Sequence, residues 1–200
     1  MSGVRSPGGH RLAHGLKVAV GMVLFVAALW VIQAVNAATG DALLRFGIIA
    51  RSTDGLDGII FAPFLHGSFD HIAANTLPLL VLGFLAAVRG VGRFLIASVV
   101  IILVSGAGVW LTAAPGSVTI GASGLILGYF GYLLARGLFD HSLADIAIAV
   151  VVAILYGTLI FAVLPSQEGV SWQAHLFGLI GGVIAAWTLR RPRHRTRGRA

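Results

Sequence analysis

The chain has 200 residues, 58% of them hydrophobic and only 10% charged, with a mean hydropathy of +0.94. So little polar surface cannot cover a soluble globule, which excludes an aqueous enzyme and indicates an integral membrane protein. The formal net charge is +7, and the absence of cysteine excludes disulfides, thiol catalysis and thiolate-bound zinc.

Six apolar runs reach or approach the roughly 20 helical residues that cross a ~30 Å hydrocarbon layer. They lie near Leu16 to Ala38, Phe69 to Val88, Phe94 to Ala113, Thr119 to Ala135, Leu143 to Val163 and Trp172 to Leu189. None alternates apolar and polar residues as barrel strands do, and lipid leaves an open backbone without partners, so helices are expected. The expected fold is all-α, a polytopic bundle of six transmembrane helices over residues 16–189, between an N-terminal tail (1–15) and a basic C-terminal tail (190–200). No internal repeat, heptad pattern or soluble domain is visible.

Basic residues precede the first run and the small residues of "VNAA" follow it, as around a secretory signal. Its apolar stretch exceeds the ~7 to 15 residues of a signal core, so it reads as a retained helix. The connection from Thr39 to Ser68 opens with "LLRFGIIA", apolar enough for the interface, and continues with "RSTDGLDG", dense in turn residues. It reads as a connector packed on the helices. With six spans, twelve of the fourteen basic residues fall on one side, leaving Arg45 and Arg51 opposite, which places both termini in the cytoplasm. The tail "RRPRHRTRGR" then serves orientation and contact with anionic lipid, and nucleic acid is not an expected partner.

Polar residues inside a membrane are costly and are candidates for function. Here they are Asp70, His71, Asn75, Ser105, Ser123, Asp145, Thr158 and His175. In this topology the second, fourth and sixth spans begin at the outer face, and His71, Asn75, Ser123 and His175 lie within one or two turns of it. His71 and Asn75, at i and i+4, share a helix face. Gly124 and Gly128, like Gly178 and Gly182, are four apart, a spacing that lets two helix backbones approach. If those faces meet, Ser123 comes close to His175. A serine and an imidazole in reach of each other are the minimum apparatus for acyl transfer: the imidazole takes the hydroxyl proton and returns it to the leaving amine. His71, the Asn75 amide and the Ser123 backbone N–H are the candidate oxyanion donors. Asp145 enters from the other face, so the pair is a dyad without a carboxylate.

These residues resemble the rhomboid family of intramembrane serine proteases. The matching elements are "HGSFDHIAAN" (66–75), "GASG" (121–124) and "AHLFGLIGG" (174–182), in order on the second, fourth and sixth spans. The resemblance implies Ser123 as nucleophile, His175 as base, His71 and Asn75 as oxyanion donors and His66 as a structural residue, with Gly121, Gly124, Gly128, Gly178 and Gly182 supporting the site. It further implies hydrolysis of a peptide bond in or beside a transmembrane segment of a membrane-protein substrate, without cofactor or metal. The cavity would be water-filled and open to the outer face of a bacterial plasma membrane, with substrate entering near the fifth helix and the "LPSQEGVS" loop. Two positions depart from the family pattern: Asp57 and Gly58 stand where a Trp-Arg pair is usual, and Leu127 stands where an aromatic often faces the catalytic imidazole.

Two other classes remain open. One is a noncatalytic relative that binds transmembrane clients, in which Ser123 and His175 only pack. The other is a metal or haem protein using His66, His71 and His175, disfavoured because His66 and His71 are five apart instead of on one helix face. Substrate identity and oligomeric state are not legible.

Overall fold

A computed structural model describes residues 7–165 and 169–190. The tail from residue 191 onward and residues 166–168 of the "LPSQEGVS" loop lie outside the described residues. Among the described residues there are seven helices, α1 (Pro7–Ala38), α2 (Gly58–Phe61), α3 (Phe69–Val88), α4 (Val91–Thr112), α5 (Ser123–Asp140), α6 (Leu143–Tyr156) and α7 (Trp172–Thr188), with two-residue strands β1 (Ile48–Ile49) and β2 (Val118–Thr119). A 3₁₀ segment, Gly157–Val163, continues α6.

The protein is mostly helical, as expected, and among the described residues four helical segments are long and apolar enough to cross a membrane unaided: Leu12–Ala38, Phe69–Val88, Val91–Thr112 and Leu143–Val163. The expected fourth and sixth spans form α5 and α7, of 18 and 17 residues. The physical reason is position. Every residue of α5 from Gly124 to Gly137 except Leu134 is buried, so its surroundings are protein, and it can carry Arg136 and Asp140. Boundaries differ too: α1 begins at Pro7, ahead of Leu16, and Thr119 belongs to β2 instead of the fourth helix.

α5 is the central helix, flanked by α7, α6, α3 and α4. Its contact with α7 is backbone on backbone. A methyl group at Gly178 would strike the Gly124 carbonyl, one at Gly182 the Gly128 carbonyl, and one at Gly131 would sit 2.7 Å from the Leu179 carbonyl oxygen. Gly128 itself faces Ile101 of α4. The small-residue spacing therefore does what was expected, and a third helix shares the seam.

Two acids and two arginines gather at the end of α5 remote from Ser123. Asp145, in the first turn of α6, receives Arg89 Nε and Nη2, each at 3.1 Å, and Arg136 Nη2 at 3.0 Å. Ser142 caps α6 by accepting from the Asp145 N–H at 3.1 Å, and its hydroxyl donates to the Asp145 carboxylate. Arg136 Nε also faces Asp140 at 3.5 Å. Arg136, just past the apolar run that ends at Ala135, is thus a buried residue of α5, and its charge is neutralised by Asp140 one turn on and by Asp145, which only the fold brings to it. The cluster joins the ends of α3, α5 and α6. Asp145→Ala leaves the Arg136 guanidinium buried without its main partner, a change that costs about 3 to 5 kcal/mol. Reversible unfolding in mixed micelles is expected to show that loss, and Asp145→Asn part of it.

The connection from 39 to 68 is folded. Ile48 pairs with Thr119 and Ile49 with Val118, which anchors it to the strand entering α5. Trp110 Nε1 donates to the Ser52 carbonyl at 2.8 Å, and Ile59 packs so closely on Gly106 that a methyl there would lie 2.6 Å from it. Asn36, buried at the end of α1, donates to Asp41 at 3.0 Å and to the His66 carbonyl at 3.4 Å, and accepts from the Leu43 N–H at 3.0 Å. Asn36 and Gln33 are buried polar residues of the first span that the survey of span polarity passed over. Asn36 was detectable as an amide closing an apolar run.

Candidate active site

Ser123 is the first residue of α5, so its N–H has no acceptor inside the helix and points with the positive end of the helix dipole. The chain reaches it through Gly121, whose φ of +117° disfavours any residue with a side chain and whose N–H donates to the Ala62 carbonyl at 2.9 Å. A methyl group on Gly121 would lie 2.8 Å from both Cε1 and Nε2 of His71. Glycine is required here because an imidazole occupies the space of its side chain.

His71 is held on the first turn of α3, where Ser68 caps the helix by accepting the His71 N–H at 3.0 Å. One turn on, buried Asn75 donates from Nδ2 to the His71 carbonyl at 2.8 Å, which fixes the amide and leaves its second N–H for another acceptor. His66, just before α3, stacks edge-on against His71 with ring centroids 5.0 Å apart.

His175 sits on the first turn of α7, 5% exposed, with Nδ1 2.8 Å from the Ala162 carbonyl. A carbonyl can only accept, so Nδ1 carries the proton and the lone pair lies on Nε2. That backbone oxygen holds the imidazole in this tautomer. His175 and His71 lie within electrostatic reach of each other.

The half-buried Ser123 hydroxyl and the His175 imidazole are not joined by a hydrogen bond among the described contacts. They are carried by backbones that touch: a methyl on Gly124 would lie 3.1 Å from the Ala174 carbonyl oxygen and 3.5 Å from Ala174 Cβ. Ser105 of α4 reinforces the seam by donating to that carbonyl at 2.9 Å. A cavity of about 20 Å³ lies beside it, lined by Ser105, Gly121, Gly124 and Ala174 among others. It is large enough for one water. Thus Gly121, two residues before Ser123, touches His71, which contacts His66 and Asn75, and Gly124, the residue after Ser123, lies against Ser105 and Ala174, the neighbour of His175. Asp70, on the first turn of α3, makes none of these contacts, and Leu127 is buried in the core around α5.

His66 is 1% exposed and neither ring nitrogen has a hydrogen-bond partner. Burial, helped by the facing His71, lowers its pKa to about 4. The unfolded chain, with His66 near 6.5, therefore binds a proton that the folded chain refuses. Stability is full above pH 6.5, falls as pH drops below it and levels off below about pH 4, by about 3 kcal/mol in all. His66→Asn is expected to remove that component, seen as a flatter stability profile between these pH values.

A bundle of apolar helices with polar side chains gathered at one end of a central helix defines an integral membrane protein with an internal site. The Rhomboid domain model matches residues 54–192, and the chain belongs to the rhomboid family. An uncharacterised protein of Mycobacterium tuberculosis is 42% identical over 184 residues, covering 88% of this chain and 77% of its own length. A Bacillus subtilis protein named "Putative rhomboid protease YdcA" is 32% identical over 126 residues, covering 62% of each chain. Rhomboid-like protease 5 of Toxoplasma gondii is 30% identical over 146 residues, 68% of this chain and 16% of that protein.

Proposed function

We propose that this protein is an intramembrane serine endopeptidase that hydrolyses peptide bonds in or beside transmembrane segments through a Ser123–His175 dyad. The observation that carries the reading is His175: its Nδ1 is anchored on the Ala162 carbonyl, so its basic Nε2 is available beside the helix that bears Ser123. In resting sites such nucleophile–base hydrogen bonds are often long and tighten when substrate binds.

In this mechanism His175 Nε2 removes the Ser123 proton as Oγ attacks the scissile carbonyl. The Nδ1–H to Ala162 interaction steadies the imidazolium that forms. The Ser123 N–H, the free N–H of Asn75 and the His71 imidazole receive the oxyanion. His175 then protonates the leaving amine, and water repeats the cycle on the acyl-enzyme. Because those donors act on charge that develops only in the transition state, Asn75→Ala is expected to lower kcat by about 10-fold to 10³-fold with KM little changed.

The same reading has six membrane crossings, with α5 and α7 as the fourth and sixth, both termini in the cytoplasm and the site open to the outer face. The cluster around Asp145 then lies on the cytoplasmic side with Arg89, Arg93 and Arg136, in agreement with the distribution of basic residues. The missing hydrogen bond between Ser123 and His175 favours a second reading, a noncatalytic protein that holds transmembrane clients. One experiment separates them. Purified protein is incubated with a panel of single-span substrates and, separately, with a fluorophosphonate probe. Cleavage and labelling that vanish in Ser123→Ala and His175→Ala support the protease, whereas folded wild type that neither cleaves nor labels supports the client binder.

A further inference from the structure

An open cleft of about 560 Å³ runs between α1 and α4, from Lys17 and His14 at its mouth to Leu125, two residues beyond Ser123, at its inner end. α1 packs on α3, where Met22 fills the space over Gly83 and Trp30 donates to Thr76 at 3.0 Å, but it diverges from α4. The walls are Val18, Gly21 and Phe25 on one side and Phe94 and Leu95 on the other. Leu125 and Tyr129 of α5 contribute to the floor, so the cleft reaches the buried central helix.

The chemistry of the cleft selects its occupant. The floor's one polar pair is satisfied, Tyr129 OH and Ser98 Oγ lying 2.7 Å apart, so the interior offers only apolar contact. The mouth holds Lys17 and His14, and among the described residues no carboxylate lines the cleft. An apolar lining with a basic mouth complements a molecule that joins a long apolar chain to an anionic group. We propose that the cleft is a binding site for one anionic phospholipid, with an acyl chain lying between α1 and α4 and its phosphate at Lys17. The phosphate site at Lys17 lies at the far end of the cleft from Leu125, and the proposal does not depend on proteolysis.

Spin-labelled phosphatidylglycerol and phosphatidylcholine, labelled near the chain end, test it in vesicles containing the purified protein. A lysine at the membrane surface favours an anionic headgroup by about fivefold. The motionally restricted component is expected to prefer phosphatidylglycerol by that factor in wild type and to lose the preference in Lys17→Gln. Gly21 lines the cleft, and a Cβ there meets nothing within 4 Å, so the indole of Gly21→Trp is expected to occupy the cleft and diminish the restricted component. Gly15→Trp, also in open space but outside the cleft lining, is expected to leave it intact. Equal restriction of the two lipids, or a folded Gly21→Trp that restricts lipid as wild type does, overturns the proposal. So does efficient disulfide dimerisation of Gly21→Cys, which would assign the cleft to a second copy of the chain.

Discussion

Ser123→Ala and His175→Ala are each expected to lower cleavage of a single-span substrate by about 10⁴-fold or more, and the double variant to lose scarcely more than either. The reason is that in the proposed mechanism the two side chains act as one device. Without the hydroxyl, the imidazole has no nucleophile to activate. Without the imidazole, a serine hydroxyl at its ordinary acidity is a poor nucleophile. What survives is the contribution of substrate positioning and of the Ser123 and Asn75 donors, which neither substitution deletes outright. Strictly additive losses in the double variant would mean that the residues act separately, and the dyad would have to be abandoned. Helix content should be unchanged in both single variants, because Ser123 makes no side-chain hydrogen bond among the described contacts and His175 has only the Ala162 carbonyl.

The other large effect belongs to the α5–α7 seam. Gly178→Ala places a methyl against the Gly124 carbonyl oxygen, a backbone atom that no rotamer change can move. The helices must separate, and overpacking of this kind costs about 1 to 3 kcal/mol, occasionally more. Activity should suffer beyond stability, because Gly124 adjoins Ser123 and Gly178 lies one turn from His175 on the widened seam. A displacement near 1 Å can cost about 10²-fold in rate. The expected result is therefore a variant that remains folded at low temperature with its activity reduced by about that factor. Gly92→Ala, where a Cβ meets nothing within 4 Å, should change neither quantity. Full activity in Gly178→Ala would show that the catalytic side chains tolerate a wider seam and that the glycines serve packing alone.

The helical, membrane-embedded character was legible because it depends on composition summed over long runs, and such sums need no knowledge of neighbours. The glycine seam was legible for a related reason: a spacing of four fixes one helix face whatever lies opposite. Length and apolarity do not by themselves decide the number of crossings: α5 is surrounded by protein and so is not selected for uniform apolarity, and α7 is short, so neither is picked out by those two criteria. Arg136 shows the same limit. Beside the apolar run it looked like a connecting residue, and only the fold brings Asp145 from the next helix to within 3.0 Å of it.

For the site, the sequence alone determined which chemistry-bearing residues exist, in what order, and that His71 and Asn75 share a face, since those facts follow from composition and helical period. Only the tertiary structure decided that His71 occupies the place of a Gly121 side chain, that His66 is buried without a hydrogen-bond partner, and that the Ala162 carbonyl orients His175. A backbone carbonyl is present at every residue and carries no signature in the sequence. Its selection as the partner of an imidazole depends on how the 3₁₀ segment after α6 lies against α7, which is set by contacts between residues far apart in the chain.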